Sequence, residues 1–577
     1  MTASARRGGA RLRAASRIGR LALLAVVAGC VSTGARGGAV ADDDASPFPP
    51  SRANEWVTLR DFRYVTAAAA SQSLAFFGTT AGVERLDTLR DRWLAPVTAA
   101  DGLPDDRVTA LAAEPSSGDL WIGTARGLAR LVSFVDVVEP VFGPPSFRVD
   151  RLLVDPRDGT VWAQIGGIWW RGPNGSPVLE RSGSRPPFER LVGPVPVDEL
   201  DPSRLPWTDP LWVPSELLPG ARFRLTVLDR DRRGDWYVGT WGDNGRRWAA
   251  ARQAWEPLYF GLAGPGGPIA ASRSGYWFPP GATPARGPGS DASLAPGGVR
   301  FALSAGSPAP AAVAHASRDL SAWSYAVPLE SPGLPAATAH AAVAAGDTVW
   351  LATDHGIVRG VDGRWERWGP RDPLPVAARA LALEPGRVWA GGDDGLVALD
   401  RRDGARVARF LAGRRVDAVA VTPEAVYAGT RVGLFAGRRT ADPDGADGVP
   451  SEIERVEPRG GAIRALAATD TLLVVGTAIG IEVFDRRAGE WSVTARAGEG
   501  RLDQPPLALA VDADGQVWIG SAAGLARWRP ATGEWDEWTS ADGLAAGPVL
   551  HLLAEDGVVW ASTPTGVSRF AWEEAGR

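Results

Sequence analysis

The sequence predicts an all-β fold of about eleven small antiparallel sheets set side by side, and three observations predict it. Glycine and proline, 70 and 47 of 577 residues, make up one residue in five, which suits many tight turns and leaves little room for long helices. A short apolar run, usually with an aromatic and usually followed by Gly or Ala and then Thr, returns eleven times along the chain. The hydrophobic share of 45% is ample for packed cores, and with one cysteine no internal disulfide can replace them.

The chain opens on a basic segment with six arginines in its first 29 residues and no acid. Leu21 to Ala28 is apolar but spans only about 13 Å as a helix, under half of a roughly 30 Å bilayer core, which fits a signal-peptide core rather than a membrane span. Val27-Ala28-Gly29-Cys30 resembles the bacterial lipobox. That resemblance implies cleavage after residue 29 and acylation of Cys30, with the protein held to the membrane through its N-terminal lipid. Val31 stands where inner-membrane retention uses Asp, which implies the outer membrane of a bacterial envelope. Residues 30–53 read as a flexible tether, and Asp42-Asp43-Asp44 within it as solvated charge rather than a calcium loop. All basic residues are Arg, and beyond the leader the net charge is −11, which argues against a nucleic-acid partner.

The repeats begin at Phe76-Phe77-Gly78-Thr79 and Trp121-Ile122-Gly123-Thr124 and end at Trp518-Ile519-Gly520-Ser521 and Trp560-Ala561-Ser562-Thr563. Successive anchors lie 38 to 47 residues apart, except for two gaps of about 75 that contain the insertions 172–225 and 279–320. Each unit reads as four strands: Val108 to Ala112, Leu120 to Gly123, Leu128 to Leu131, and an often aromatic fourth such as Gly363 to Trp368. Asp158-Gly159 and Asp514-Gly515 supply positive φ at hairpins, and Gly127, Gly356 and Gly480 stand where a side chain would crowd the neighbouring strand. Tryptophan on the second strand fills the wedge between sheets, so most of the 25 Trp are scaffold. Four strands every 40 or so residues, packed radially, are the signature of a β-propeller.

Asp101-Gly102-Leu103-Pro104, with Val108 to Leu111, Trp121 to Thr124 and Gly127 to Arg130, resembles the two-component regulator propeller repeat, and Asp542-Gly543-Leu544 with Trp560 and Gly566-Val567 resembles it again. The resemblance covers most of residues 54–572 and implies an extracytoplasmic, sensor-like module. Eleven or twelve blades exceed the usual four to eight, so two propellers are expected, at 54–330 and 331–577, with one oversized ring as the alternative. The last unit is one strand short, and Glu55 to Leu59 reads as the strand that completes it.

Catalytic and metal sites are not expected. His315, His340, His355 and His551 share no ligand spacing, and the acid pairs Asp105-Asp106, Asp229/Asp231, Asp393-Asp394 and Asp512/Asp514 fall on turns where Asp caps backbone. Asp-Gly lacks the spacing of a sialidase box, the quinoprotein-like Ala398-Leu399-Asp400 stands alone, and no cofactor motif is found. The loops after each fourth strand are expected to converge near a central channel, which makes Asp101, Leu103, Asp105, Asp106, Asp542 and Leu544 candidate ligand contacts. His355 joins them because it sits in a hairpin beside Gly356. The expected function is a non-catalytic lipid-anchored module binding a small molecule, glycan or envelope protein. With no kinase or membrane span before Arg577, signalling would pass through a partner. The alternatives are an envelope assembly scaffold and, in another class, a propeller enzyme such as a polysaccharide lyase or lactonase built from the insertions.

Overall fold

The computed structural model describes residues 56–572 apart from internal stretches, the longest being 282–312 and 327–337; the leader, Cys30 and the tether lie outside the described residues. Eleven antiparallel sheets follow one another, numbered here by their inner strands. Sheets 1 to 4 begin at Val65–Ala70, Val108–Ala113, Val149–Val154 and Arg222–Arg230. Sheets 5 to 11 begin at Ala270–Ala271, Ala339–Ala345, Ala378–Leu383, Val416–Val421, Ile463–Ala468, Pro506–Val511 and His551–Glu555. The architecture is a β-propeller, as the repeat pattern predicts.

The Gly-Thr pair of the repeat has two separate causes. A Cβ on Gly391 would lie 2.6 Å from Val416 at the start of the next inner strand, and one on Gly239 of sheet 4 would lie 2.4 Å from Val65 of sheet 1. Glycine there lets successive sheets approach closely enough to pack. The threonine closes the second hairpin: Thr353 Oγ1 donates to the Gly356 carbonyl at 2.9 Å, and Thr430 to Gly433 at 2.7 Å. Five second-strand tryptophans, Trp121, Trp350, Trp389, Trp518 and Trp560, are among the largest fully buried side chains.

Seven interfaces, each with its own apolar cluster, close sheets 5 to 11 into a ring. The closing contact sets Tyr276 and Phe278 of sheet 5 against Trp560 of sheet 11, with ring centroids 4.6 and 5.4 Å apart. Sheet 11 takes its outer strand from the far end of the chain: Trp56–Arg60 pairs antiparallel with Gly566–Ala571, Trp56 opposite Phe570. Sheet 5 therefore packs with the sheets that follow it, and the expected boundary at residue 330 falls inside this ring. Membership is set by the aromatic wedge of Tyr276, Trp277 and Phe278 and not by the insertion 279–320, which follows that strand inside sheet 5 and contains its third strand Val313–Ala316.

Sheets 1 to 4 form a second array, with clusters between sheets 4 and 1, 1 and 2, and 2 and 3. The insertion ahead of sheet 4 adds short strands Val195–Pro196 and Trp212–Pro214 to the inner edge of Arg222–Arg230. It also packs Trp207 among Trp236, Trp248 and Trp255, so its described part is scaffold. The chain leaves and returns at one place: Leu262 N–H donates to the Arg60 carbonyl at 2.8 Å.

Candidate functional site

Nine inner strands open on the same irregularity. The register against the second strand skips one residue, a β-bulge that takes that residue out of the ladder and re-aims its side chain. In sheets 1, 2 and 4 the bulged residue is threonine, and it ties its sheet to the next. Thr66 donates to Val108 O at 2.7 Å, Thr109 to Val149 O at 2.6 Å, and Thr226 to Val65 O at 2.8 Å. In the seven-sheet ring the same position carries His340, Arg379, Asp417, Arg464 and Leu507 on sheets 6 to 10.

Residues of the second hairpins, at the same end of the sheets, meet these side chains and form a crown of alternating charge. His340 Nε2 lies 2.6 Å from Asp354 Oδ1, a distance that fits Nε2–H donating to the carboxylate. Arg379 grips Asp393 with both ends of its guanidinium, at 2.7 and 3.2 Å, and its other Nη stands 3.4 Å from His340 Nε2. Arg415 Nε reaches Asp417 at 2.5 Å and Asp393 at 3.7 Å, and Arg431 follows 3.8 Å from Asp417. The Arg379 hydrogen bond above all holds Asp393 below the usual carboxylate range, with the charges of Arg415 and His340 adding to it. On sheet 11, His551 keeps part of its surface accessible, yet the protein around it desolvates the ring. That desolvation, with a smaller contribution from the His340 charge, brings its pKa down to about 4.

The residues that the sequence pointed to lie elsewhere, in structural roles. Asp101 and Asp542 close capping boxes: Oδ2 of each accepts from the backbone N–H of Thr98 or Thr539, at 2.8 and 2.9 Å. Burial pushes the Asp101 carboxyl up to about 6. Asp106 accepts from Ala99 N–H at 2.8 Å and pairs with Arg60 at 2.6 Å. Asp105 accepts from Arg107 N–H at 2.8 Å and faces Arg126. Leu103 and Leu544 are buried in wedge cores. His355 is exposed on its hairpin, and it is the preceding Asp354 that enters the crown. No group of three or more His, Cys, Asp and Glu that could hold a metal ion occurs among the described residues.

No family model matches the chain, and no curated protein matches it. Solved structures do. The extracellular domain of the putative hybrid two-component system BT3049 from B. thetaiotaomicron is 13% identical, with 89% of this chain and 68% of that one covered and a TM-score of 0.40. PorZ of Porphyromonas gingivalis, described as an essential bacterial surface component of the type-IX secretion system, is 11% identical, with coverages of 90% and 87% and a TM-score of 0.48. The extracellular domain of BT4673 from B. thetaiotaomicron is 12% identical, with coverages of 88% and 70% and a TM-score of 0.38.

Proposed function

We propose that this chain is a non-catalytic binding module of the bacterial envelope, sensor-like in kind. In this reading a ligand or protein partner docks at the crowned mouth of the seven-sheet ring, and lipid on Cys30 anchors the chain to the outer membrane. The crown carries the reading. On sheets 1, 2 and 4 the bulge position holds a threonine that serves the scaffold and on sheet 3 a single Asp150, whereas on sheets 6 to 9 of the ring it holds four successive titratable or charged groups, His340, Arg379, Asp417 and Arg464. The first three are fixed within the crown as donors and acceptors, which is what recognition requires.

The test compares wild type with Arg379→Gln, immobilised at equal folded amounts and offered a glycan panel and a detergent extract of envelope. Arg379 is partly exposed, so the fold is expected to survive. A glycan or protein retained by wild type and lost at least tenfold by the variant is the expected result. Retention indifferent to Arg379, or turnover of a glycan by the purified chain, overturns the reading.

A further inference from the structure

Resting on the reading of this mouth as a binding site, we infer that it takes an anionic amphipath, a carboxylate head on an aliphatic body. The rim is two-sided. On sheets 6 to 8 both the bulge and the hairpin positions carry the charged crown, sheet 9 sets Arg464 beside Ala478 of its hairpin, and sheets 10, 11 and 5 carry Leu507 with Ala522, Leu550 with Pro564, and Gly267 with Gly281. The apolar side is continuous across the ring closure: the position of a Cβ on Gly266 is 3.5 Å from Pro564 and 3.8 Å from Leu550. Leu507 and Leu550 both keep part of their surface open.

The inner strands extend that apolar character down the channel. Ala342, Val419, Leu466, Leu509 and Leu552 are partly exposed although their strands are flanked by sheets on both sides, so the open surface faces the axis. A charged half-rim above an aliphatic wall matches a ligand with the same division.

The sign of the head follows from the crown. Asp354, Asp393 and Asp417 alternate with Arg379, Arg415 and Arg431, so these charges balance one another. Arg464, next around the rim, is exposed and has no carboxylate partner among the described residues. Among the described bulge and hairpin residues of the crown it is the cation left over, beside the apolar half that starts at Leu507. A carboxylate seated on Arg464 continues the alternation while its chain turns over Leu507 and Leu550 into the channel.

Calorimetric titration of the full chain with decanoate and with 1-decanol tests this. Decanoate is expected to bind, one per chain. Arg464→Gln is expected to weaken decanoate at least tenfold and to leave decanol within twofold, whereas Leu507→Asp weakens both at least tenfold. The thermal midpoint of Arg464→Gln, an exposed site, should match wild type. Absence of decanoate binding, or binding that Arg464→Gln leaves unchanged, overturns the inference. If decanoate is silent while Arg379→Gln still abolishes capture of a glycan or protein, the amphipath fails and the wider reading of the mouth stands. If Arg379→Gln also leaves capture intact, both fail.

Discussion

Replacing Glu384 by Ala removes a carboxylate that three groups share at the end of sheet 7 opposite the crown. Its Oε1 accepts from the indole N–H of Trp389 at 3.0 Å and from Arg387 at 3.3 Å, and its Oε2 pairs with Arg439 of sheet 8. The Glu384 and Arg439 side chains are each only 5% exposed. Breaking a buried ion pair on one side costs about 3–5 kcal/mol, because the remaining charge is left without compensation. An orphaned buried N–H costs about 1–3 kcal/mol. The two overlap at one site, so the expected loss is about 4 kcal/mol, or roughly 6 °C in Tm for a ring of about 310 residues at ~2.1 cal/mol/K per residue. Urea denaturation at constant m is the assay. Glu384→Leu combined with Arg439→Met should recover more than half of the loss, because it removes the stranded charge as well. A loss below about 1 kcal/mol, or a double variant no more stable than Glu384→Ala, refutes the clamp.

Glu84, 1% exposed, is held protonated by burial, its pKa raised to about 8. The native state therefore keeps a proton that the unfolded chain releases, and stability falls as pH rises from about 4.5 to 8. Glu84→Gln should gain on wild type across that window by up to about 5 kcal/mol in urea unfolding, and a pH-independent gap between the two would refute it. His551 has the opposite sign: its pKa of about 4 lies below the unfolded value, so its contribution is present above about 6.5 and is lost as pH falls toward 4. The register sets His551 where sister strands have Ala380, Ala418 and Ala465, so His551→Ala should fold at pH 7 and flatten the acid slope of the urea midpoint. Gly391→Ala should cost about 1–3 kcal/mol by overpacking against Val416, and adding Val416→Ala should restore part of it; equal midpoints for the single and double variants would contradict the packing account.

The scaffold was legible because its rules are local and repeated. Tryptophan on the second strand, Gly-Thr after it and a glycine at the next hairpin each solve a packing problem within one unit or against the next. Sequence reading assigned the Gly-Thr glycine no role, because its partner, such as Val416 for Gly391, lies about 25 residues away on another sheet. The crown was illegible for the same reason on a larger scale. His340, Arg379, Asp393 and Asp417 carry no shared motif and become neighbours only when three sheets converge on one axis. A signal did exist: placing the inner strands in common register sets Thr66, Thr109 and Thr226 against His340, Arg379 and Asp417 at one offset. The Asp-Gly-Leu turns drew notice because they recur, and they recur because Asp101 and Asp542 cap backbone. Residue 330 was a division by length, and length does not report which wedge a sheet fills.

Because Trp56–Arg60 completes sheet 11 while Leu262 hydrogen-bonds to Arg60, everything from Asp61 to Gly261 is, for the seven-sheet ring, one very long loop whose ends touch. Loop-closure entropy grows only logarithmically, so such a guest burdens its host little. The host cannot mature before the C-terminal hairpin leaves the ribosome, since until then the early strand has nothing to dock on, while the guest can fold as soon as its own residues have emerged. Excision is the corollary: a chain spliced from Arg60 directly to Leu262 spans no gap, and should assemble the seven-sheet ring by itself.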